Sequence, residues 1–292
     1  MPVTDQIVTV PAGSVSTTVP PVVTSAGGIR GTQRSTLWGM RGDLPGSTAT
    51  ALSVGGFSAL VLLWALVART TTWEVVPSPL DAWNSAVELA RAGDLWPNVW
   101  ASVQRVAIGF SVSMTIGIVL GVLMGSFRSV EAGLTSSIGF LRYIPANALA
   151  AIFIITLGID EAPKLAFIIV GTVFYNILMI ADVVGGVPKE QINAAFTLGA
   201  GRMRTLRQVV LPHSVPGIID VARINLAAAW LMLVVAEALA AQSGLYYQLS
   251  KLARFRNYGG VWAILLIFGL IGVVSDVGLR AVKRRVSGWA DA

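Results

Sequence analysis

The chain has 292 residues, no cysteine and a single histidine, His213. The first absence excludes a disulfide frame and a thiolate metal site; the second excludes a zinc site built on a histidine pair. Charge is scarce as well. Only 12% of residues are Asp, Glu, Lys or Arg, about half of the roughly 25% usual in a soluble domain. The four lysines, Lys164, Lys189, Lys251 and Lys283, follow Pro163, Pro188, Ser250 and Val282. None follows a glycine, so no Gly-Lys-Ser/Thr phosphate loop exists. The chain is expected to hold no metal and no cofactor of its own, and any ATP and Mg must be bound by a partner.

What is abundant is apolar surface, at 54% of residues, with a net charge of +6. In a soluble protein that charge would suggest nucleic acid. With this hydrophobicity it points to basic loops on the cytoplasmic face of a membrane, and no nucleic-acid partner is expected. A bilayer core needs about 20 mostly apolar residues per helix. Six stretches qualify, at about 51–68, 99–125, 133–157, 163–185, 219–241 and 260–280. The expected fold class is therefore an all-α polytopic membrane protein with about six spans, and Pro145 predicts a kink or break in the third. Residues 1–50, rich in Ser, Thr, Val, Gly and Pro without period, read as a disordered cytoplasmic tail rather than a signal peptide. Residues 51–292 form the transmembrane domain.

Loop charge predicts orientation. With the N-terminus in the cytoplasm, the inner segments carry twelve cations: Arg30, Arg34, Arg41, Arg128, Lys189, Arg202, Arg204, Arg207, Arg280, Lys283, Arg284 and Arg285. The outer segments carry six: Arg69, Arg91, Lys164, Lys251, Arg254 and Arg256. Both termini are then cytoplasmic. The cluster Lys251–Arg256 runs against the trend.

Gly109, Ser113, Gly117, Gly121 and Gly125 recur every fourth residue of the second span. Small residues at this spacing let a second helix approach closely, through ordinary structural packing or as the tight centre of a moving bundle. No internal repeat of the inverted kind is evident. Ionisable residues inside spans are functional candidates by default. Arg105 could attract an anion or snorkel to the outer interface. Arg142, just before Tyr143-Ile144-Pro145-Ala146-Asn147, either forms a structural salt bridge or is a pathway candidate, together with Asn147. Glu237 either pairs with an arginine in a gate or braces its helix, with bracing preferred. Asp182 and Asp220, flanking an inner loop, are expected to face water.

That inner loop, residues 186–217, departs from its surroundings. Pro188 suits a first helical turn, and Ile192, Ala195, Phe196 and Gly199 follow helical spacing. Gly199 or Gly201 can take the left-handed conformation that ends a helix. A second helix is expected from about Arg202 to Val210, stopped by Pro212. Such a basic elbow could lie in the membrane interface, read DNA as a helix-turn-helix, or dock a cytoplasmic protein through Phe196.

The spacing Ala194-Ala195, Gly199, Val209, Leu211-Pro212 resembles the EAA loop of ABC importer permeases. The resemblance extends over roughly residues 95–290, through "GFLRYIPANALAAIFIITLGI" and "RINLAAAWLMLVVAEALAAQSGL", and is to the permeases for nitrate, bicarbonate, taurine and aliphatic sulfonates. It implies a type I importer permease fold in the inner membrane. It also implies a homodimer with the pathway between copies, two cytoplasmic ATPase subunits and an extracytoplasmic solute-binding protein. The elbow would then be the coupling helix, formed by Asn193, Ala194, Ala195, Phe196, Gly199, Ala200, Val209, Leu211 and Pro212. Asn193 stands where the family has Glu. Such a chain catalyses no bond chemistry. A secondary transporter or channel without an ATPase, or a membrane scaffold that recruits a protein through the elbow, are the competing readings.

Overall fold

The computed structural model describes residues 46–71 and 74–287. Most of the expected disordered tail lies outside the described residues. The chain divides into two compact units at Ser58. The described part of the first is the opening half of helix α1 (Gly46–Thr70), which buries no residue along its length. Everything below concerns the second unit, residues 59–292.

All regular elements among the described residues are helical. After α1 come α2 (Pro79–Arg91), α3 (Leu95–Ser126), α4 (Arg128–Leu141) and α5 (Ala150–Leu157). They are followed by α6 (Glu161–Gly185), α7 (Lys189–Thr197), α8 (Arg202–Thr205), α9 (Leu211–Ala240), α10 (Leu245–Arg254) and α11 (Tyr258–Val286). Among the described residues, five helices are long and apolar enough to span a bilayer: α1, α3, α6, α8 with α9 as one run, and α11. The third expected span is a bent pair. Residues 128–141 and 146–157 meet at 76°, which makes a sixth span if the pair crosses as one.

Local chemistry sets these boundaries. At the start of α2, Ser78 Oγ accepts from the Asp81 amide at 3.2 Å and Asp81 Oδ2 accepts from the Ser78 amide at 3.1 Å. That reciprocal cap, with Pro79 in the first turn, fixes where the helix begins. Neither α2 nor α10 was among the expected spans; both are too short and too polar to cross. Trp64 stacks on Trp262 at 4.9 Å, and Trp83, Trp96 and Trp100 are exposed near the same end of the bundle. Exposed tryptophans of this kind suit a membrane–water interface.

The core is built on α3 against α6. A Cβ at Gly109 would meet Ile168 at 2.9 Å, and one at Gly117 would meet Asn176 at 2.6 Å. At Gly121 it would meet the Ile177 carbonyl at 2.8 Å, and at Gly125 the Ala181 carbonyl at 2.6 Å. The glycine stripe is therefore the face on which α6 lies, backbone nearly on backbone. Ser113, the fifth small residue, is fully buried between them. Its hydroxyl accepts from Thr172 Oγ1 at 2.7 Å and Asn176 Nδ2 at 2.8 Å, and Asn176 Oδ1 accepts from Asn225 Nδ2 on α9 at 2.7 Å. In lipid, where apolar burial gives little, small residues and such bonds hold helices together.

The structure corrects the expected second helix of the elbow. It does not stop at Pro212. Residues 202–205 run through a π turn, 206–210, directly into α9. Pro212 sits in the first turn of α9, where its missing N–H is tolerated once the π turn has shifted the bonding register. The elbow's second helix is thus the end of a spanning helix.

Candidate functional site

Three places carry the chemistry. The first is the elbow at the end of the bundle opposite the tryptophans. α7 closes with bonds from the Leu198 amide to the Ala194 carbonyl and from the Ala200 amide to the Ala195 carbonyl, both at 3.0 Å. Between them Gly199 takes a left-handed φ of +79°, open to glycine at little cost and strained for other residues. Beneath the elbow, Ile192 and Leu206 pack on a core that includes Val184, Val187 and Val210. On its outer side Leu198 is 87% exposed and Met203 57%, whereas Phe196, one turn from Ile192 on the same face of α7, is 46% exposed and lines a groove with Ile192, Val184 and Leu206. Asn193, Ala194 and Pro212 are also exposed, whereas Ala195, Ala200, Val209 and Leu211 are half-buried. The arginines are solvated, and Arg204 donates only to Gln208 within its own helix, at 3.0 Å.

The second place is an ion-pair cluster at the tryptophan end. Arg105 neither snorkels nor stays free. It is buried on α3, and its Nε and Nη2 donate to Glu161 at 2.6 and 2.8 Å. Its Nη1 donates to Glu237 Oε1 at 2.9 Å and to the Ser243 carbonyl at 2.6 Å. Glu237, expected as a brace, is the arginine's partner. It also accepts from Ser102 Oγ at 2.6 Å and from the Tyr246 amide at 2.8 Å. The ends of α3, α6 and α9 and the start of α10 are tied at one point. Gly244 turns there at φ +125°, and any Cβ on it would collide with the Glu237 carboxylate. Lys164 adds a bond to Glu161 at 2.8 Å.

Sequence reasoning found Arg105 and Glu237 but not Glu161, Lys164, Ser102 or Ser243. The pairings span up to 138 positions, and no local periodicity marks them. A further expectation fails at the other end. Asp220 does not simply face water: it accepts from Arg223 at 3.1 Å and from Lys283 at 2.6 Å. Asp276 takes both Arg223, at 2.9 Å, and Arg280. These bonds tie α9 to α11. Asp182 is exposed, as expected.

The third place is the broken span. Arg142, Pro145 and Asn147 line a cavity of about 300 Å³, with Gly171 and Tyr175 of α6 and Met232 of α9. Arg142 Nη2 donates to the neighbouring Tyr143 hydroxyl at 3.1 Å, and the guanidinium lies 5.0 Å from that ring's centre. No carboxylate pairs with it among the described residues. No group of His, Cys, Asp and Glu among the described residues could hold a metal ion.

Residues 114–288 match the family described as "Binding-protein-dependent transport system inner membrane component". A probable ABC transporter permease protein of Brucella abortus is 33% identical over 84% of this chain and 97% of its own length. The taurine transport system permease protein TauC of Escherichia coli is 30% identical over 84% of this chain and 92% of its own. The fold is shared with an inward-facing form of the MetNI methionine ABC transporter at TM-score 0.61 and 19% identity, over 68% of this chain and 98% of that one. A family match over residues 114–288 and a 97%-length match to an ABC permease leave one conclusion. The chain belongs to the binding-protein-dependent transport system inner membrane components: it is the membrane-spanning, non-enzymatic permease subunit of an ABC importer, whose ATP is hydrolysed by a partner ATPase.

Proposed function

We propose that this chain forms half of a homodimeric import pathway for a small anion of the nitrate, bicarbonate, taurine or sulfonate class. In this reading two ATPase subunits seat on the α7–α8 elbow, residues 186–217, in the cytoplasm. Both termini lie on that side, and a solute-binding protein delivers from the tryptophan side.

The observation that carries the coupling role is the two-sided elbow. Its outer face presents Leu198 and Met203, Phe196 lines the groove between the elbow and the end of α3, and Ile192 and Leu206 are seated in the span core. Because α8 continues into α9 without a stop, a push on the elbow is a push on a spanning helix. Packed helices respond as rigid bodies. Asn193, exposed in place of the family's acid, leaves the docking shape intact and removes a charge from it. The anionic substrate is supported by the taurine permease's name and by an unpaired arginine beside the broken span.

The test is reconstitution with an ATPase subunit and a solute-binding protein of the same family of importers. Import should depend on ATP and on the binding protein. Transport driven by an ion gradient with neither partner present would favour a secondary transporter instead.

A further inference from the structure

Backbone that leaves helical geometry inside a membrane is tolerated only where protein buries it or a water-filled cavity receives it. The break at residues 142–149 belongs to the second case, since it opens on the 300 Å³ cavity between α6 and α9. Gly171 lies ten residues along α6 from Glu161, about 15 Å at the helical rise. The cavity therefore sits deep in the span, below the Arg105 cluster. Broken helices at such depth commonly form solute sites, because freed backbone groups and a turned helix end can meet a polar solute.

Its one charge is Arg142. Arg105, Arg223, Lys164, Lys283 and Arg280 each meet a carboxylate, but Arg142 meets a phenol alone. Its Nε is buried and has no hydrogen-bond partner. A buried charged donor without a partner is expensive, and an intramembrane cation of this kind marks a pathway by default. Asn147 adds an amide on the same wall, and Tyr175 is 47% exposed at the rim. The opposite wall is adjustable. A Cβ at Gly171 would meet Met232 Cγ at 2.5 Å and Sδ at 2.6 Å, so the thioether fills the space that the glycine leaves. A flexible methionine against a bare backbone sets the width of the cavity without fixing it.

We infer that this cavity is an anion seat on the import pathway, with Arg142 supplying the counter-charge, Asn147 a polar contact, and the Gly171–Met232 pair limiting solute size. The inference deepens the proposed function and rests on it. Tetrahedral or planar oxyanions suit it: an oxyanion in the cavity can accept from the Nη atoms of the guanidinium, while the Nε stays buried.

The experiment uses the permease–ATPase complex in nanodiscs, with ethanesulfonate as the probe and ethyl methyl sulfone as its uncharged analogue, at constant ionic strength. Wild-type complex should melt higher with millimolar ethanesulfonate and not with the sulfone. Arg142→Gln should abolish that shift and lower ethanesulfonate uptake in proteoliposomes by about tenfold or more, the value of one charge-assisted contact. Arg142→Lys should restore part of both. Gly171→Ala, which drives Met232 inward, should weaken the shift with Arg142 intact. Gly133→Ala, away from the cavity lining, should leave the melting shift, uptake and ATP hydrolysis stimulated by the loaded binding protein unchanged. An equal melting shift and equal uptake in wild type and Arg142→Gln would overturn the seat and leave the importer reading standing. Wild-type complex that couples ATP to import yet is shifted by no anion would do the same.

Discussion

The Arg105 guanidinium and the Glu237 carboxylate meet at 2.9 Å with side-chain exposures of 5% and 0%, whereas the second partner of Arg105, Glu161, is 56% exposed. One arginine thus holds a permanent partner and an accessible one. Glu237 also holds Ser102 and the Tyr246 amide. The buried arm fixes α3 to α9; the exposed arm is open to solvent.

The two arms should differ in energy. Glu237→Gln leaves a buried guanidinium short of charge and should destabilise the fold by about 3–5 kcal/mol. Glu161→Gln removes a partner that is itself 56% exposed, although its two cations are buried, and should lose less than Glu237→Gln. Thermal unfolding in two double-mutant cycles, Arg105→Gln with each glutamate variant, measures both. Equal losses from the two glutamates would show that burial does not rank these contacts.

The glycine stripe makes a sharper contrast. Gly121→Ala places a methyl against the Ile177 carbonyl and Ile180, and overpacking of that kind loses about 1–3 kcal/mol. Gly133→Ala meets nothing within 4 Å in α4 and should be neutral, or stabilise by about 0.5–1 kcal/mol through helix propensity. Melting temperatures in lipid decide it. A stable Gly121→Leu would mean that α3 does not rest on α6 as described.

In the elbow, Gly199→Val meets no steric obstacle but a φ of +79°, which should cost at least about 1–2 kcal/mol and re-aim α8. Phe196→Ala removes an exposed anchor of the kind that carries roughly 2 kcal/mol or more at interface centres. Both should reduce ATPase co-purification, or separate hydrolysis from uptake, while the permease still reaches the membrane. Arg204→Ala, whose one bond stays within its helix, should have a small and salt-sensitive effect. Unchanged co-purification and coupling in the first two variants would remove the elbow from the mechanism.

Orientation is checked by reporter fusions. One placed after Arg204 should read cytoplasmic and one near Asp160 external. The reverse at both positions would place the exposed tryptophans, the Arg105 cluster and the elbow on the opposite sides from those proposed.

Much of this was legible in the chain because membrane spans are local objects. About 20 apolar residues in a row, a proline at 145, small residues at every fourth position and a glycine after Ala-Ala each speak through their immediate neighbours. They establish a helical membrane protein, a broken third span, one close-packed face and an elbow in a basic loop. The tertiary structure decided what depends on meetings between distant positions. Arg105 finds Glu161 and Glu237 across 56 and 132 residues, and Lys283 finds Asp220 across 63. From the sequence an arginine in a span is simply an unpaid desolvation, equally able to snorkel, pair or await a solute. Only packing shows that Arg105 is satisfied while Arg142 is not. The end of the elbow was decided the same way. Pro212 alone reads as a stop, but a π turn removes the need for its N–H and lets α8 run on into the membrane, since helix continuity depends on the bonds available around a proline and not on the proline itself.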